Sequence, residues 1–335
     1  MASRLPRPLP MKAVTGSVPT EDGWAFELKW DGMRVITAVD DGATAYSANG
    51  IEVAPRFPEL AGLADHLAGH RVLLDGEVVV LDELGRADFG RLQPRMHIDR
   101  PDKVAELRPD HPVTYVVFDL LHLDDHSLLT VPYLQRRELL AELVEPGPSW
   151  IVPEHQVGGG QDLFAAAAAA GIEGIMAKQL DSTYLPGKRS SAWRKCKVRR
   201  QQEVVIGGWT EGTGGRSGSF GALLVGVHDP DGGPLRFAGG VGTGFTEATL
   251  TRLQGELEAR RTDECPFDPP PPRAALRSPA TWVRPELVAE VAFAEWTQDG
   301  RIRHASYLGL RIDKDPQAVI REPDSGLAGG ATAGS

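Results

Sequence analysis

The chain has 335 residues, a formal net charge of −10 and two cysteines. That length suits two domains better than one, and no apolar run is long enough to cross a bilayer, so no membrane partner is expected. The acidic balance excludes broad coating of nucleic acid, so any such contact must rest on local cation clusters and be salt-sensitive. Cys196 and Cys265 lack metal-ligand spacing, which excludes a zinc site and fits a reducing, cytoplasmic setting.

Taken in chain order, the proline-rich start predicts an arm over residues 1–20. Alternating and apolar runs predict strands at 24–29, 34–39, 72–81 and 115–121. Helical periodicity marks 57–67 and 131–143. Six consecutive alanines lie in 162–170 before Gly171, which predicts a short buried helix with a glycine stop. The charged stretch 199–203 has no apolar pattern and is expected to be a linker. Strands are expected again at 204–209, 221–227 and 235–240, then a helix at 246–260 and a proline loop at 269–272. Runs at 288–296 and 301–308 flank Asp299-Gly300, a hairpin signal. The Gly, Ala and Ser-rich tail from Glu322 predicts disorder.

Chemistry concentrates in ordered blocks. Glu27-Leu28-Lys29-Trp30-Asp31-Gly32-Met33-Arg34 sets a lysine between acids at a strand end. A lysine amine is a nucleophile only where desolvation or neighbouring cations favour its neutral form. Ser47-Ala48-Asn49-Gly50 follows, then Asp75-Gly76-Glu77 inside an apolar run, and Phe118 inside another. Glu173-Gly174 opens a short apolar run ending at Lys178. Paired carboxylates from separate strands can hold a hard cation such as Mg²⁺ or Mn²⁺, although spacing alone does not assign that role to Glu77 and Glu173. Lys195 and Lys197 share a strand face, with Cys196 turned away. They belong to a basic run from Lys188 through Arg189, Arg194, Arg199 and Arg200, which reads as a phosphate-handling groove around Trp193. Arg311-Ile312-Asp313-Lys314 stands near the end.

In this order the blocks resemble the collinear motifs of the covalent nucleotidyltransferases. They look most like ATP-dependent DNA ligases, especially the ligase domain of bacterial ligase D and its stand-alone relatives. The resemblance runs from about residue 24 to about residue 322. It implies an α+β chain: a nucleotidyltransferase (adenylation) domain with mixed and antiparallel sheets over 21–198, a hinge at 199–203, a β-barrel OB-fold domain over 204–321, and a tail at 322–335. Lys29 would become adenylylated by ATP, with Mg²⁺ or Mn²⁺ supported by Glu77 and Glu173. Glu27 would read the adenine amino group, Phe118 would stack on the purine, and Arg34 would contact ribose and phosphate. Leu28, Glu77, Lys178, Lys195 and Lys197 are further nucleotide-pocket residues. Arg311, Asp313 and Lys314 would orient departing pyrophosphate. Asn49, Arg189, Arg194, Arg199 and Arg200 would face DNA. Relatives usually carry an arginine where this chain has Ala48, which puts their mode of nick recognition in question here. Nicked duplex DNA is the implied partner, an end-bridging repair protein is left open, and a stand-alone monomer is expected. An RNA ligase, a capping-type guanylyltransferase and a non-enzymatic OB-fold DNA-binding protein are the alternatives.

Overall fold

A computed structural model of the chain describes residues 5–198, 200–212, 219–229, 232–276 and 278–322. The chain divides into two compact units after Val198. The first unit holds two sheets. One has the order Lys12–Thr15, Arg189–Lys197, Gly174–Gln179, Trp24–Leu28, Gln156–Val157, antiparallel except that its first strand runs parallel to Arg189–Lys197. The other has the order Ala43–Ser47, Met33–Val39, Val72–Val80, Val113–Leu123, His126–Ser127, with Trp150–Ile151 parallel to Val113–Leu123. The Val72–Val80 strand is buried on both faces except at Glu77, which is why its sequence runs apolar rather than alternating.

Side chains on the first sheet alternate between two environments. Trp24, Phe26, Ile175, Ala177 and Cys196 pack with Ala167 of the helix Gly160–Ala169. The opposite face carries Glu27, Lys178, Trp193, Lys195 and Lys197. The alanine tract is therefore helical but mostly solvent-facing, with Ala167 alone of the six buried. Gly171 follows at φ 73°, the left-handed stop its residue type permits. The expected arm is not free. Leu5 and Met11 are buried with Ile36, Leu73, Tyr184 and Trp193, and Lys12–Thr15 joins the sheet. The periodic stretch at 57–67 breaks into the 3₁₀ turn Pro58–Ala61 and the short helix Gly62–His66, after another 3₁₀ turn at Ala54–Arg56.

The second unit is built on the strands Arg236–Val241, Phe220–Val227, Gln201–Glu211 and Ala280–Ala292, with Ser306–Leu310 also paired to the last. A bridge between Thr243 and Ser306 links the outer strands, curling the sheet toward a barrel. The helix Glu247–Glu258 is N-capped by Thr246, whose side chain accepts from Thr249 N. The expected linker is shorter than 199–203, because Gln201, Gln202 and Glu203 already pair with Ala292, Val291 and Glu290. The strand Ala280–Ala292 begins well before residue 288. Pro285 hides it in the sequence, but the register shifts between Ile206 and Gly208 opposite, so the proline sits at a bulge where no ladder bond is lost. The Asp299-Gly300 turn is present, with Gly300 at φ 73° and the pair Glu295–Trp296 and Ile302–Arg303 around it. Arg199 and the tail beyond Glu322 lie outside the described residues.

Candidate active site

Lys29 lies where the first unit's chain crosses between its sheets, from Trp24–Leu28 to Met33–Val39. The tightness of that crossing explains Gly32. A Cβ there would lie 2.2 Å from Val78 O and 2.8 Å from a Val79 methyl carbon. We expect Gly32→Ala to cost about 1–3 kcal/mol as overpacking and to displace the Lys29 loop. Denaturant titration alongside nucleotide labelling checks this, and a variant with wild-type stability and labelling would show the crossing is slack.

The backbone N of Lys29 donates to Gly174 O at 2.9 Å, extending the ladder by one residue and setting Lys29 beside Glu173. On its other side Gly174 is held close to Arg189–Lys197, where a Cβ would meet Cys196 O at 2.1 Å. Lys29 Nζ donates to Glu173 Oε2 in a short ion pair, and the lysine side chain keeps 19% of its surface exposed. Among the described residues Glu173 Oε1, which is buried, finds no hydrogen-bond partner. A carboxylate oxygen left without a hydrogen bond beside the lysine suits a hard cation. Glu77 flanks the same crossing, with its Cγ 3.0 Å from the place a Gly32 Cβ would take. Among the described residues no group of three or more His, Cys, Asp or Glu is arranged to hold a metal. The protein would thus supply part of a coordination shell, leaving the rest to phosphate oxygens and water, as Mg²⁺ accepts.

Behind the lysine lies a charged and aromatic cluster. Glu27 and Lys178, 3% and 1% exposed, pair at 2.7 Å. Tyr133 Oη donates to Glu27, and Arg137 Nε lies 3.4 Å from the same carboxylate. Burial works against the Glu27 carboxylate, but the charges of Lys178 and Arg137 and the hydrogen bonds outweigh it and hold its pKa low. Burial pushes the Lys178 pKa down more than Glu27 pulls it back. The Lys178 ammonium lies 4.5 Å from the Phe118 ring centre and 4.4 Å from that of Trp193. Arg34 binds Asp75 through two bonds of 2.6 and 2.7 Å, and Tyr184 Oη donates to Asp75 at 2.6 Å. The Arg34 guanidinium also lies 4.6 Å from the Phe118 ring centre.

A primary amine pinned by one carboxylate, a carboxylate oxygen left without a hydrogen bond and a basic strand face form a site for an amine nucleophile and a polyphosphate. Residues 10–197 match the family described as ATP dependent DNA ligase domain, and residues 216–314 match ATP dependent DNA ligase C terminal region. The chain belongs to the ATP-dependent DNA ligase family. It is similar to the multifunctional non-homologous end joining protein LigD of Mycolicibacterium smegmatis, 46% identical over 316 residues that make up 93% of this chain and 39% of that protein. It is also similar to DNA ligase C1 of the same organism, 34% identical over 90% of this chain and 88% of that one. Among solved structures it resembles mycobacterial DNA ligase D complexed with ATP and MES, 42% identical, TM-score 0.66, covering 94% of this chain and 98% of that one. The chain thus spans about two-fifths of the LigD relatives' length. With this family membership, the first unit is the adenylation domain and the second is the C-terminal OB-fold region.

The structure gathers Lys29, Glu77 and Glu173 at the crossing, and Glu27, Arg34, Phe118 and Lys178 behind it. Lys195 and Lys197 share the Trp193 face, opposite Met176 and Gly174. Leu28 does not join them. Alternation turns it to the opposite face, against the alanine-helix core. Arg194 is turned away for the same reason, paired with Glu21 at 3.6 Å and lying 4.5 Å from the Trp24 ring centre, so the basic run is divided between two faces. Asn49 is at the exposed tip of a turn, Arg189 donates to Ala13 O, and Arg200 donates to Ala294 O in the second unit. Arg311 is buried in that unit, bonded to Asp313 at 3.0 and 2.9 Å and to Glu290 at 2.8 Å, which makes it a framework residue there. Lys314 pairs with Glu203 at 2.8 Å and keeps more of its surface.

Tyr133, Arg136 and Arg137 were not anticipated. With Leu140 they form the buried stripe of the helix Tyr133–Leu143. Helical periodicity alone does not place two arginines on the inner stripe. The available signal was the acids they need: Arg136 binds Asp119 at 2.7 and 2.8 Å inside the apolar Val113–Leu123 strand.

Proposed function

We propose that this chain seals 5′-phosphate/3′-hydroxyl nicks in duplex DNA through a lysyl-AMP on Lys29. The observation that carries this reading is the Lys29–Glu173 pair at the crossing loop, beside a carboxylate oxygen left without a hydrogen bond. In the first step the Lys29 ammonium gives up protons to solvent, its nitrogen forms a bond to the α-phosphorus of ATP, the bond from that phosphorus to the oxygen bridging to the β-phosphate breaks, and pyrophosphate leaves. Glu173 orients the amine and accepts its hydrogen bond. A bound Mg²⁺ or Mn²⁺, held by Glu173 with Glu77 nearby, would neutralise charge on the phosphates. Lys195 and Lys197 offer cations to the same charge. Phe118 offers its ring to the purine, with Glu27, Lys178 and Arg34 around it. AMP then passes to the 5′-phosphate of the nick, and attack by the 3′-hydroxyl joins the strand and releases AMP. Of the C-terminal motif, Lys314 is the residue with surface left to meet pyrophosphate, while Arg311 and Asp313 hold its backbone. The names of the LigD relatives, which say non-homologous end joining, support a place in end-joining repair; an end-bridging protein as partner and a monomeric chain are further parts of this proposal.

The deciding experiment is incubation with α-labelled ATP or GTP and Mg²⁺ or Mn²⁺, followed by denaturing electrophoresis. Label from ATP alone supports the reading, and label from GTP alone would replace it with capping chemistry. Nicked DNA against nicked RNA then separates the ligases. Glu173→Gln keeps the side-chain shape but removes the charge, so labelling should fall by roughly 10²-fold or more, as for other groups that stabilise transition-state charge. Full labelling in both Glu173→Gln and Glu77→Gln would make these acids structural.

A further inference from the structure

We propose that the N-terminal segment, residues 5–12, forms part of the surface that grips the duplex DNA backbone, with Arg7 and Lys12 as phosphate contacts. This rests on the ligase reading above. The segment is held in place by its own residues. Leu5 and Met11 are buried in the first unit's core. Leu9 O accepts from Gly187 N at 2.9 Å, and Lys12 N donates to Lys188 O at 2.8 Å. The half-exposed Leu9 side chain reaches both neighbouring turns: its carbons lie 3.8 Å and 3.6 Å from where Gly50 and Gly187 would carry a Cβ. The segment therefore spans from the turn after Ala43–Ser47 to the loop before Arg189–Lys197.

Its outward side chains fit a polyanion. Arg7 is exposed, and its guanidinium lies over the Tyr46 ring, 4.4 Å from its centre. Lys12, Lys188 and Arg189 are exposed alongside. Among the described residues none of these four pairs with a carboxylate. Exposed arginines elsewhere do, as in Arg100–Asp102, Arg236–Asp229 and Arg303–Glu295. On a chain of net charge −10, unpaired cations gathered on one surface mark charge complementarity with phosphate. Leu9, Leu185 and Ile51, all exposed, add apolar area of the kind that packs on sugar edges.

The test compares wild type, Arg7→Ala/Lys12→Ala and Arg7→Lys for ATP labelling, binding of a nicked duplex across salt concentrations, and sealing. Each phosphate contact contributes about 0.9 to the slope of log affinity against log salt. The double variant should label normally, which shows it is folded, yet bind about tenfold or more weakly at 0.1 M salt, with a slope shallower by roughly two. Arg7→Lys should keep the wild-type slope. Unchanged affinity and slope in the double variant would overturn the proposal. So would a slope change accompanied by lost labelling in both variants, which would mean a folding defect. If wild type labels with ATP but binds no nicked duplex, this proposal falls together with the DNA half of the functional reading, and loss of labelling in wild type would remove the ligase reading itself.

Discussion

Lys29→Ala is expected to abolish transfer of label from α-labelled ATP while the protein stays folded. The side chain is partly exposed on a crossing loop whose path is set by Gly32 and by the Lys29 backbone bond to Gly174 O, not by the lysine side chain. Alanine does leave the buried Glu173 carboxylate without its partner, which by itself lowers stability. Lys29→Arg separates the two effects. Arginine keeps a cation for Glu173 but is not a usable nucleophile, because its pKa stays above ~12. Both variants should fall to background labelling, and Lys29→Arg should unfold closer to wild type. A folded Lys29→Arg protein that still takes label would move the covalent site elsewhere.

The blocks legible in sequence are those whose chemistry depends on local order. Lys29, Gly32, Glu77 and Glu173 announce themselves because a tight crossing needs glycine, and because charged residues stand out at the border of, or inside, otherwise apolar strand sequence. Strands and helices with strong periodicity, such as Met33–Val39, Val72–Val80 and Glu247–Glu258, fall close to expectation. What escaped depends on distant pairing. The N-terminal segment looks like an arm until Lys12–Thr15 finds Arg189–Lys197, with Arg189 bonding back to Ala13 across 176 residues of chain. Helical periodicity alone does not turn Arg136 and Arg137 inward; Asp119 and Glu27 meet them there. A basic run looks like one groove until strand alternation sends Arg194 to the other face. Pro285 looks like a strand breaker until the opposing strand bulges.

The largest effect on stability is expected at Glu27. Its carboxylate serves Lys178, Arg137 and Tyr133 together, away from water. Glu27→Gln keeps the volume but strands two buried cations, and removing one partner of a buried pair costs about 3–5 kcal/mol. Lys178→Met should cost less, because Glu27 keeps Arg137 and the Tyr133 hydroxyl, and methionine suits the surrounding rings. The double variant Glu27→Gln/Lys178→Met should then be more stable than Glu27→Gln alone, since one stranded cation is gone. The pH dependence follows from the Glu27 pKa, which the fold holds below its ordinary value. A carboxyl with a lowered folded pKa contributes stability that is complete above the unfolded value of ~4.3 and is lost as pH falls through the folded one. The gap between wild type and Glu27→Gln should therefore be full at neutral pH and shrink as pH drops below ~4.3. Urea unfolding of the four proteins across that range measures it. Additive losses in the double variant, or a gap that does not move with acid, would mean that Glu27 is neutral in the fold and that Lys178 is held by its rings alone.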